Sequence, residues 1–480
     1  MNKFVDRDVE LRLLRQEYAS AGQSGRLAVV YGRRRLGKTA LLREFARGLP
    51  HAYFMADQAG EATAKRSLAL ALAHGFGEPL LESLEFPTWY DVFRAIDRFR
   101  DSSKPCVLIL DEYQYLTQVQ PAFSSFLQKW WDEHWKDARL LLVLCGSVTS
   151  MMYRETLGRS APLYGRSTAQ VLLQPLPCAS LREFLPGRTV PQLVEFYGLA
   201  GGVPRYLEMA AAYPDFAAAF GELVLQRHGL LYREARSVLQ DEITKPNTCW
   251  SILQALGSGV TRITELGGRL ALPANQLTRY IELLRDLFLV RRDVPVLEAN
   301  PARSKKGIYQ VTDPFLGLWF GCVYPYESLL EFDESARAAE RLAPLVEGHM
   351  ARCFERICRE YVARRQTGYG CVRVGRQWGA HYDIDVAGVS DRECLAVVGE
   401  CKWSKRPVGL SLLHELQRKL KSEKLPVEPS LRFLLFCPAG FSAELEAEAR
   451  KDGRIELVQD PFAPVPGGAV PRTAGSAGGG

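Results

Sequence analysis

The stretch "VVYGRRRLGKTALL", residues 29–42, decides how the chain is read. An apolar run stops at a glycine, three arginines follow, and Gly-Lys-Thr turns into a second apolar run. Residues 27–31 (LAVVY) predict a short buried strand, and residues 38–48 (KTALLREFARG) an amphipathic helix ended by Gly48. Between them Gly32 to Thr39 matches G-x-x-x-x-G-K-[ST] without mismatch, in the strand-loop-helix setting this motif needs. Such a loop wraps backbone N–H groups around a phosphate at a helix N-terminus, where unpaired donors and the helix dipole favour negative charge. Gly37 allows close approach, Lys38 reaches the β- and γ-phosphates, and Thr39 ligates Mg²⁺. The expected nucleotide contacts are Gly32, Arg33, Arg34, Arg35, Leu36, Gly37, Lys38, Thr39 and Ala40. The competing explanation, a chance match in a Gly/Arg/Lys-rich turn, weakens once the next strands are read.

Residues 106–110 (CVLIL) predict an apolar strand that ends in Asp111-Glu112, where a P-loop fold presents its second acidic element. Asp111 is expected to hold Mg²⁺ and Glu112 to polarise the attacking water. A third buried strand, 139–145 (RLLLVLC), runs into Gly146-Ser147. Ser147 there is either a polar sensor of the γ-phosphate or an ordinary turn serine. Farther on, SAPLYGRST (160–168) and the residue before it offer Arg159 and Arg166 as cations for charge that develops in phosphoryl transfer. Arg166 is the preferred candidate, with a plain surface arginine as the alternative.

At 480 residues the chain is too long for one ordinary core, which predicts two to three domains. Hydrophobic residues at 47% and charged residues at 24% give a globular balance. The net charge of +6 permits a nucleic-acid partner without requiring one. Eleven scattered cysteines show no CxxC pair and no zinc-like Cys/His spacing, which predicts reduced, mostly buried thiols. The start MNKFVDRDVELRLL has no basic segment followed by an apolar one, and no run approaches about 18 uninterrupted apolar residues. The expected location is the cytoplasm, with no membrane partner.

Read in order, FVDRDVELRLL, GRRRLGKT, LILDEYQYL, CGSVTSMM, PLYGR and GGVPRYL resemble the archaeal-type ATPases, a branch of the STAND group related to AAA+ proteins. The likeness covers roughly the first two thirds of the chain, and the ordered set is more specific than any member of it. It implies an ATPase core and a helical segment whose turn Gly202-Val203-Pro204 faces the nucleotide, so Pro204 joins the expected contacts. It also implies that Asp6 and Arg7 lie near the adenine. Family members commonly show F-x-G-R-E there, whereas this chain has Asp6 and Asp8 where Gly and Glu are usual.

Residues 246–325 show three helical periodicities, then two strand-like runs around a basic turn, the element order of a winged helix. Arg279 and Arg285, with Arg303, Lys305 and Lys306, could touch phosphates. Glu282 and Asp286 on the same helix favour a lid or relay role, because a phosphate-binding helix is more one-sidedly basic.

In the last third, HMARCFERICREYVARR (349–365) predicts an amphipathic helix carrying Glu355, followed by VRVGRQW, YDIDVAGVS (382–390) and ECLAVVGECKW (393–403) as strands. Glu400 and Lys402 are two apart, so their side chains leave one face, and the hairpin brings Asp385 opposite them. Two carboxylates and a lysine suit metal-dependent phosphodiester cleavage, the carboxylates of Asp385 and Glu400 holding Mg²⁺. The pattern D-x₁₄-E-x-K, with Glu355 on a preceding helix, resembles the PD-(D/E)xK nuclease group, whose fold is restriction-endonuclease-like. Such a module is familiar at the C-terminus of archaeal-type ATPases. The alternative is a structural ion pair. A basic run, 402–424, could hold a DNA backbone or form a solvated helix face.

The expected fold class is therefore α/β: a P-loop NTPase domain with a parallel sheet (1–170), a helical connector (171–245), a winged-helix domain (246–325), a C-terminal nuclease-like α/β domain (336–460) and a disordered tail (461–480). The expected activity is Mg²⁺-dependent ATP binding and hydrolysis serving as a nucleotide-controlled switch. Two outputs stay open: DNA binding or cleavage, or a scaffold whose C-terminal domain binds a partner without cutting. A second copy of the chain or another protein are the further partners left open.

Overall fold

The computed structural model describes residues 4–147, 152–243, 246–332 and 335–465. They form two compact units, one made of residues 1–176 with 203–205 and 240–244, the other of 177–202, 206–239 and the chain from 245. In the first, β1 (Arg26–Tyr31), β2 (His51–Met55), β3 (Cys106–Asp111), β4 (Leu140–Gly146) and β5 (Ala169–Leu172) pair in the order β2-β3-β4-β1-β5, all parallel. β3 and β4 are buried at every position, which is why their sequences are unbroken apolar runs instead of alternating ones.

The sheet is flanked by helices α1 (Asp8–Ser20), α2 (Lys38–Ala46), α3 (Glu61–Phe76), α4 (Trp89–Phe99), α5 (Tyr113–Val119) and α6 (Phe123–Trp130). α4 shows how one of them is specified. Thr88 and Asp91 form a reciprocal cap at its start, and Trp89, Val92, Phe93 and Ile96, spaced for one helical face, are buried. Trp89 meets Phe123 edge-on at 4.7 Å between ring centroids, and Phe93 meets Trp135 at 5.4 Å. Burial of such side chains contributes roughly 1.5–3 kcal/mol each.

The strand register sets which side chains can meet. Tyr31 pairs with Gly146 and Leu110 with Leu144, so the carboxyl ends of β1, β3 and β4 lie side by side. That edge gathers Gly32, Asp111 and Ser147.

In the second unit, helices Asn247–Gly257, Ile263–Leu270 and Ala274–Asp286 precede an antiparallel pair, β6 (Val290–Asp293) and β7 (Ile308–Val311). A 30-residue helix, Ser335–Arg364, leads into a sheet of β8 (Arg373–Trp378), β9 (Asp383–Val389), β10 (Leu395–Cys401), β11 (Val427–Phe436) and β12 (Ile455–Val458), ordered β12-β11-β10-β9-β8. β8, β9 and β10 pair antiparallel, whereas β10, β11 and β12 pair parallel. Leu412, Leu413, Leu416 and Leu420 of the helix Leu410–Ser422 join the core beneath this sheet. The expected divisions at 171–245, 246–325 and 336–460 thus share one unit, apart from 171–176, 203–205 and 240–244. Of the expected tail, residues 466–480 lie outside the described residues, as do Val148–Met151 of CGSVTSMM.

All eleven cysteines are free thiols and all but Cys394 are buried. No helix among the described residues is long and apolar enough to cross a membrane.

His349 is buried in the long helix, its Nε2 2.9 Å from the Gly198 carbonyl of the helix Val190–Ala200. Burial pushes its pKa down to about 4. The unfolded chain therefore takes up this proton first, near the ordinary value of about 6.5. Stability from this residue is complete above that value and is lost as the pH falls toward 4, by at most ~3 kcal/mol. Denaturant unfolding of wild type and His349→Gln across this range should show wild type losing stability relative to the variant. A constant difference between them would contradict the assignment.

Candidate functional site

The loop between β1 and α2 takes its shape from its glycines. Gly32 has φ +150° and a Cβ there would lie 2.7 Å from the Leu173 carbonyl oxygen, while Gly37 has φ +87°. Arg35, at φ 68°, adopts the same left-handed region without a glycine's freedom. Among the described residues eight non-glycine positions have positive φ, and four of them, Asp6, Arg7, Arg35 and Glu112, surround this site. Strain of about 1–3 kcal/mol per residue persists only where the surroundings enforce it, and it gathers at functional sites.

The Lys38 ammonium is buried inside the loop, donating to the carbonyls of Gly32 (2.8 Å) and Arg33 (3.1 Å). Thr39 Oγ1, in the first turn of α2, donates to Asp111 Oδ2 at 2.8 Å, although β4 lies between β1 and β3. The Tyr53 hydroxyl, from β2, donates to the same carboxylate oxygen. Burial, and after it the Asp111 charge, raise the Tyr53 pKa, so the phenol remains a donor. A hydroxyl and a carboxylate in contact beside a buried ammonium are the hard oxygen set and phosphate counter-charge that MgATP requires. The residues present fit this group.

Glu112 Oε2 accepts from Ser147 Oγ at 2.9 Å and from the Gln114 amide, which also reaches Ser147 Oγ at 3.2 Å. Ser147 and Gln114 are each about 1% exposed, so this triangle is fixed by the core beneath it. Ser147 therefore touches the expected base. Pro204 stands against the loop, its Cγ 3.9 Å from where a Cβ on Gly37 would be. Arg34 donates to the Tyr115 hydroxyl at 3.1 Å. Leu36 is buried, and Ala40 lies in α2.

Arg7 is fastened to the loop itself. Its guanidinium is buried and donates to the carbonyls of Leu36 (3.1 Å) and Gln174 (2.8 Å) and to Glu10 (3.2 Å), bracing the loop from behind. Asp6 accepts the Arg7 backbone N–H at 2.7 Å and so caps the turn that aims it.

Arg166 is a correction. β5 pairs Ala169 with Ala28 in parallel, which puts Arg166 beyond the amino ends of the strands, opposite the edge that holds Gly32. There it grips Asp132 with two bonds of 2.8 and 2.7 Å and donates to the Pro162 and Tyr164 carbonyls. It ties its turn to the helical segment Trp131–Trp135, at the edge of the sheet away from the glycine loop.

In the second unit, Gly399 pairs with Val386, so the antiparallel register sets Glu400 opposite Asp385 as expected from the hairpin. Asp385 Oδ2 accepts the Cys401 N–H at 2.9 Å. Glu355 on the long helix is 3.5 Å from Arg359, which also donates to the Asp385 carbonyl at 2.9 Å. Burial raises the pKa of Glu355, Asp385 and Glu400, and the Asp385 charge adds to the rise at the two glutamates.

The metal expected on Asp385 and Glu400 meets an obstacle. Glu400 is buried and both its oxygens are engaged, Oε1 by Lys402 at 3.4 Å and Oε2 by Lys419 at 2.9 Å. No group of three or more His, Cys, Asp or Glu side chains suited to an ion is found among the described residues. In this structure the Glu400 carboxylate is ion-paired with Lys402 and Lys419, the alternative that the sequence reading left open.

Sequence reading does not single out Tyr53, Gln114 or Lys419. Gln114, two residues past Glu112, is visible as a polar residue in a buried helix start; Tyr53 is brought near by the pairing of β2 with β3, and Lys419 by the packing of the helix Leu410–Ser422 on the sheet.

The parallel sheet, the loop and the acidic strand tip define a P-loop NTPase domain. Residues 4–210 match the family described as an ATPase domain predominantly from Archaea, and residues 319–419 match a family of archaeal and bacterial proteins of unknown function. An uncharacterized protein of Methanocaldococcus jannaschii is 28% identical over 404 residues, covering 83% of this chain and 87% of that protein. A second one from the same organism is 40% identical over 58 residues, covering 12% of this chain and 54% of that protein. The Walker-type ATPase of Pyrococcus abyssi shares the fold with a TM-score of 0.51 at 20% identity, covering 66% of this chain and 96% of that one.

Lys38→Ala should abolish binding of a fluorescent ATP analogue. Arg166→Ala should leave that binding unchanged while lowering stability by about 1 kcal/mol, since the Asp132 pair is partly solvated. Loss of nucleotide affinity in Arg166→Ala would restore it to the phosphate site.

Proposed function

We propose that the first unit binds MgATP and hydrolyses it slowly enough to serve as a switch. The observation that carries this reading is the 2.8 Å contact of Thr39 with Asp111 beside the buried Lys38 ammonium. Lys38 and the loop N–H groups would hold the β- and γ-phosphates, while Thr39 and Asp111 would hold the ion. Bound Mg²⁺ would neutralise charge that develops on the phosphate oxygens. Glu112 takes the proton of the attacking water on Oε1, because Oε2 is held by Ser147 and Gln114. Ser147 thereby keeps the base in one rotamer, and Arg7 keeps the loop from opening backwards.

The switch reading rests on chain path. Segments 203–205 and 240–244 of the connector belong to the first unit, so the backbone runs out of the nucleotide domain and returns to it. A shift of the loop against Pro204 is passed along the backbone into the helix Pro204–Ala211. Glu112→Gln should keep ATP binding, lose turnover roughly 10²–10⁴-fold, and give a different limited-proteolysis pattern with MgATP than without it. Unchanged turnover removes Glu112 from the mechanism. An unchanged digest removes the switch.

For the output, the engaged oxygens of Glu400 favour a C-terminal domain that binds a partner or nucleic acid without cutting over one that cleaves DNA. Purified protein with Mg²⁺ or Mn²⁺ should then leave a supercoiled plasmid intact. Nicking that disappears in Lys402→Ala would reverse this preference.

A further inference from the structure

Within the second unit, β6 and the segment after it, the long helix Ser335–Arg364 and β8 line an open cavity of about 570 Å³. Six arginines line it, Arg291, Arg292, Arg356, Arg359, Arg373 and Arg376, against two acids, Asp293 and Glu360. Its walls are fastened to each other: the Val296 N–H donates to the Arg376 carbonyl at 3.0 Å and the Leu297 N–H to Gln377 Oε1 at 3.1 Å.

The arginines are not equally compensated. Arg291 pairs with Asp293 at 3.0 Å, Arg359 with Glu355 at 3.5 Å, Arg373 with Glu393 and Arg376 with Asp383. Arg292 donates instead to the carbonyls of Pro301 (2.7 Å) and Ser304, and Arg356 to that of Thr312. Carbonyl oxygens orient a guanidinium without neutralising it. Among the described residues neither forms an ion pair; burial acts against the Arg356 charge, and Tyr197, Glu360, Cys353 and Asp313 at longer range outweigh it and raise its pKa. A cation that carbonyls alone hold at a partly buried surface, as they hold Arg292, costs free energy that an anion recovers. The crowding is felt by their neighbour: burial first, then the charges of Arg356 and Arg359, lower the Arg291 pKa against the pull of Asp293.

We propose that this cavity binds a small phosphate-bearing ligand of nucleotide size, with Arg292 and Arg356 as its phosphate contacts. A guanidinium presents a planar fork that matches two phosphate oxygens, and each fork has N–H groups left beyond its carbonyl bonds. The volume lies within the range of small-molecule sites, whereas an extended nucleic-acid strand needs a longer groove. Val294, Val296 and Val374 line the same cavity and give an apolar wall for a sugar or base.

The test uses the full chain carrying Lys38→Ala, which silences the P-loop, and titrates inorganic pyrophosphate by calorimetry. One site per chain is expected. Adding Arg292→Gln or Arg356→Gln should weaken it by roughly tenfold or more, and Arg292→Lys should lose less than Arg292→Gln. If Arg356→Gln does not fold, as judged by its melting transition, the Arg292 pair decides alone. No heat with pyrophosphate, or an affinity indifferent to Arg292→Gln, overturns the proposal. So does tighter binding of a ten-nucleotide single-stranded DNA without terminal phosphates, since that would make the cavity part of a nucleic-acid track.

Discussion

A threonine hydroxyl and an aspartate carboxylate meet at 2.8 Å across a strand that belongs to neither of them. For Thr39 and Asp111 to touch, β4 must be inserted between β1 and β3 with its end level with both, and the loop after β1 must double back over that end. Much of the first unit serves this condition. The buried apolar faces of β3 and β4 hold the level, Tyr53 fixes the carboxylate from the far side, and Arg7 ties the loop to the segment after β5. The left-handed conformations of Arg35 and Glu112 are ones that this packing imposes.

The same constraint governs how much of the molecule is legible in its sequence. β1, β3 and β4 announce themselves as unbroken apolar runs because parallel strands are covered on both faces, and the loop announces itself because few residues can form it. Asp111 and Ser147 follow as the residues at strand ends. The order of strands does not follow, since pairing is non-local and nothing in LLLVLCG says which neighbours it takes. Arg166 is misplaced by sequence for that reason: its distance along the chain from β4 is short, but the register of β5 decides which edge of the sheet it reaches. The acceptors of Arg7 are invisible in the sequence, because they are backbone carbonyls, which leave no trace in side-chain pattern.

In the second unit the hairpin register is legible and the chemistry is not. Strand alternation and the turn after β9 suffice to set Asp385 opposite Glu400. Whether such carboxylates hold an ion depends on what else reaches their oxygens, and Lys419 arrives from a helix nineteen residues beyond Glu400. The two units also use positive charge differently. In the first, a lysine is enclosed by a loop of donors and its own carbonyls; in the second, guanidiniums share a cavity wall with too few acids to balance them.

The short segment 203–205 has a consequence for how this molecule could be dismantled or shuffled. A fragment ending at Leu176 would contain every strand of the parallel sheet and still expose the flank of the glycine turn that Pro204 covers. Autonomy and completeness part company here: the first 176 residues close a sheet, yet the residue that covers the glycine turn is encoded downstream. Any exchange of the first 176 residues alone would leave the glycine turn without the flank that Pro204 supplies here.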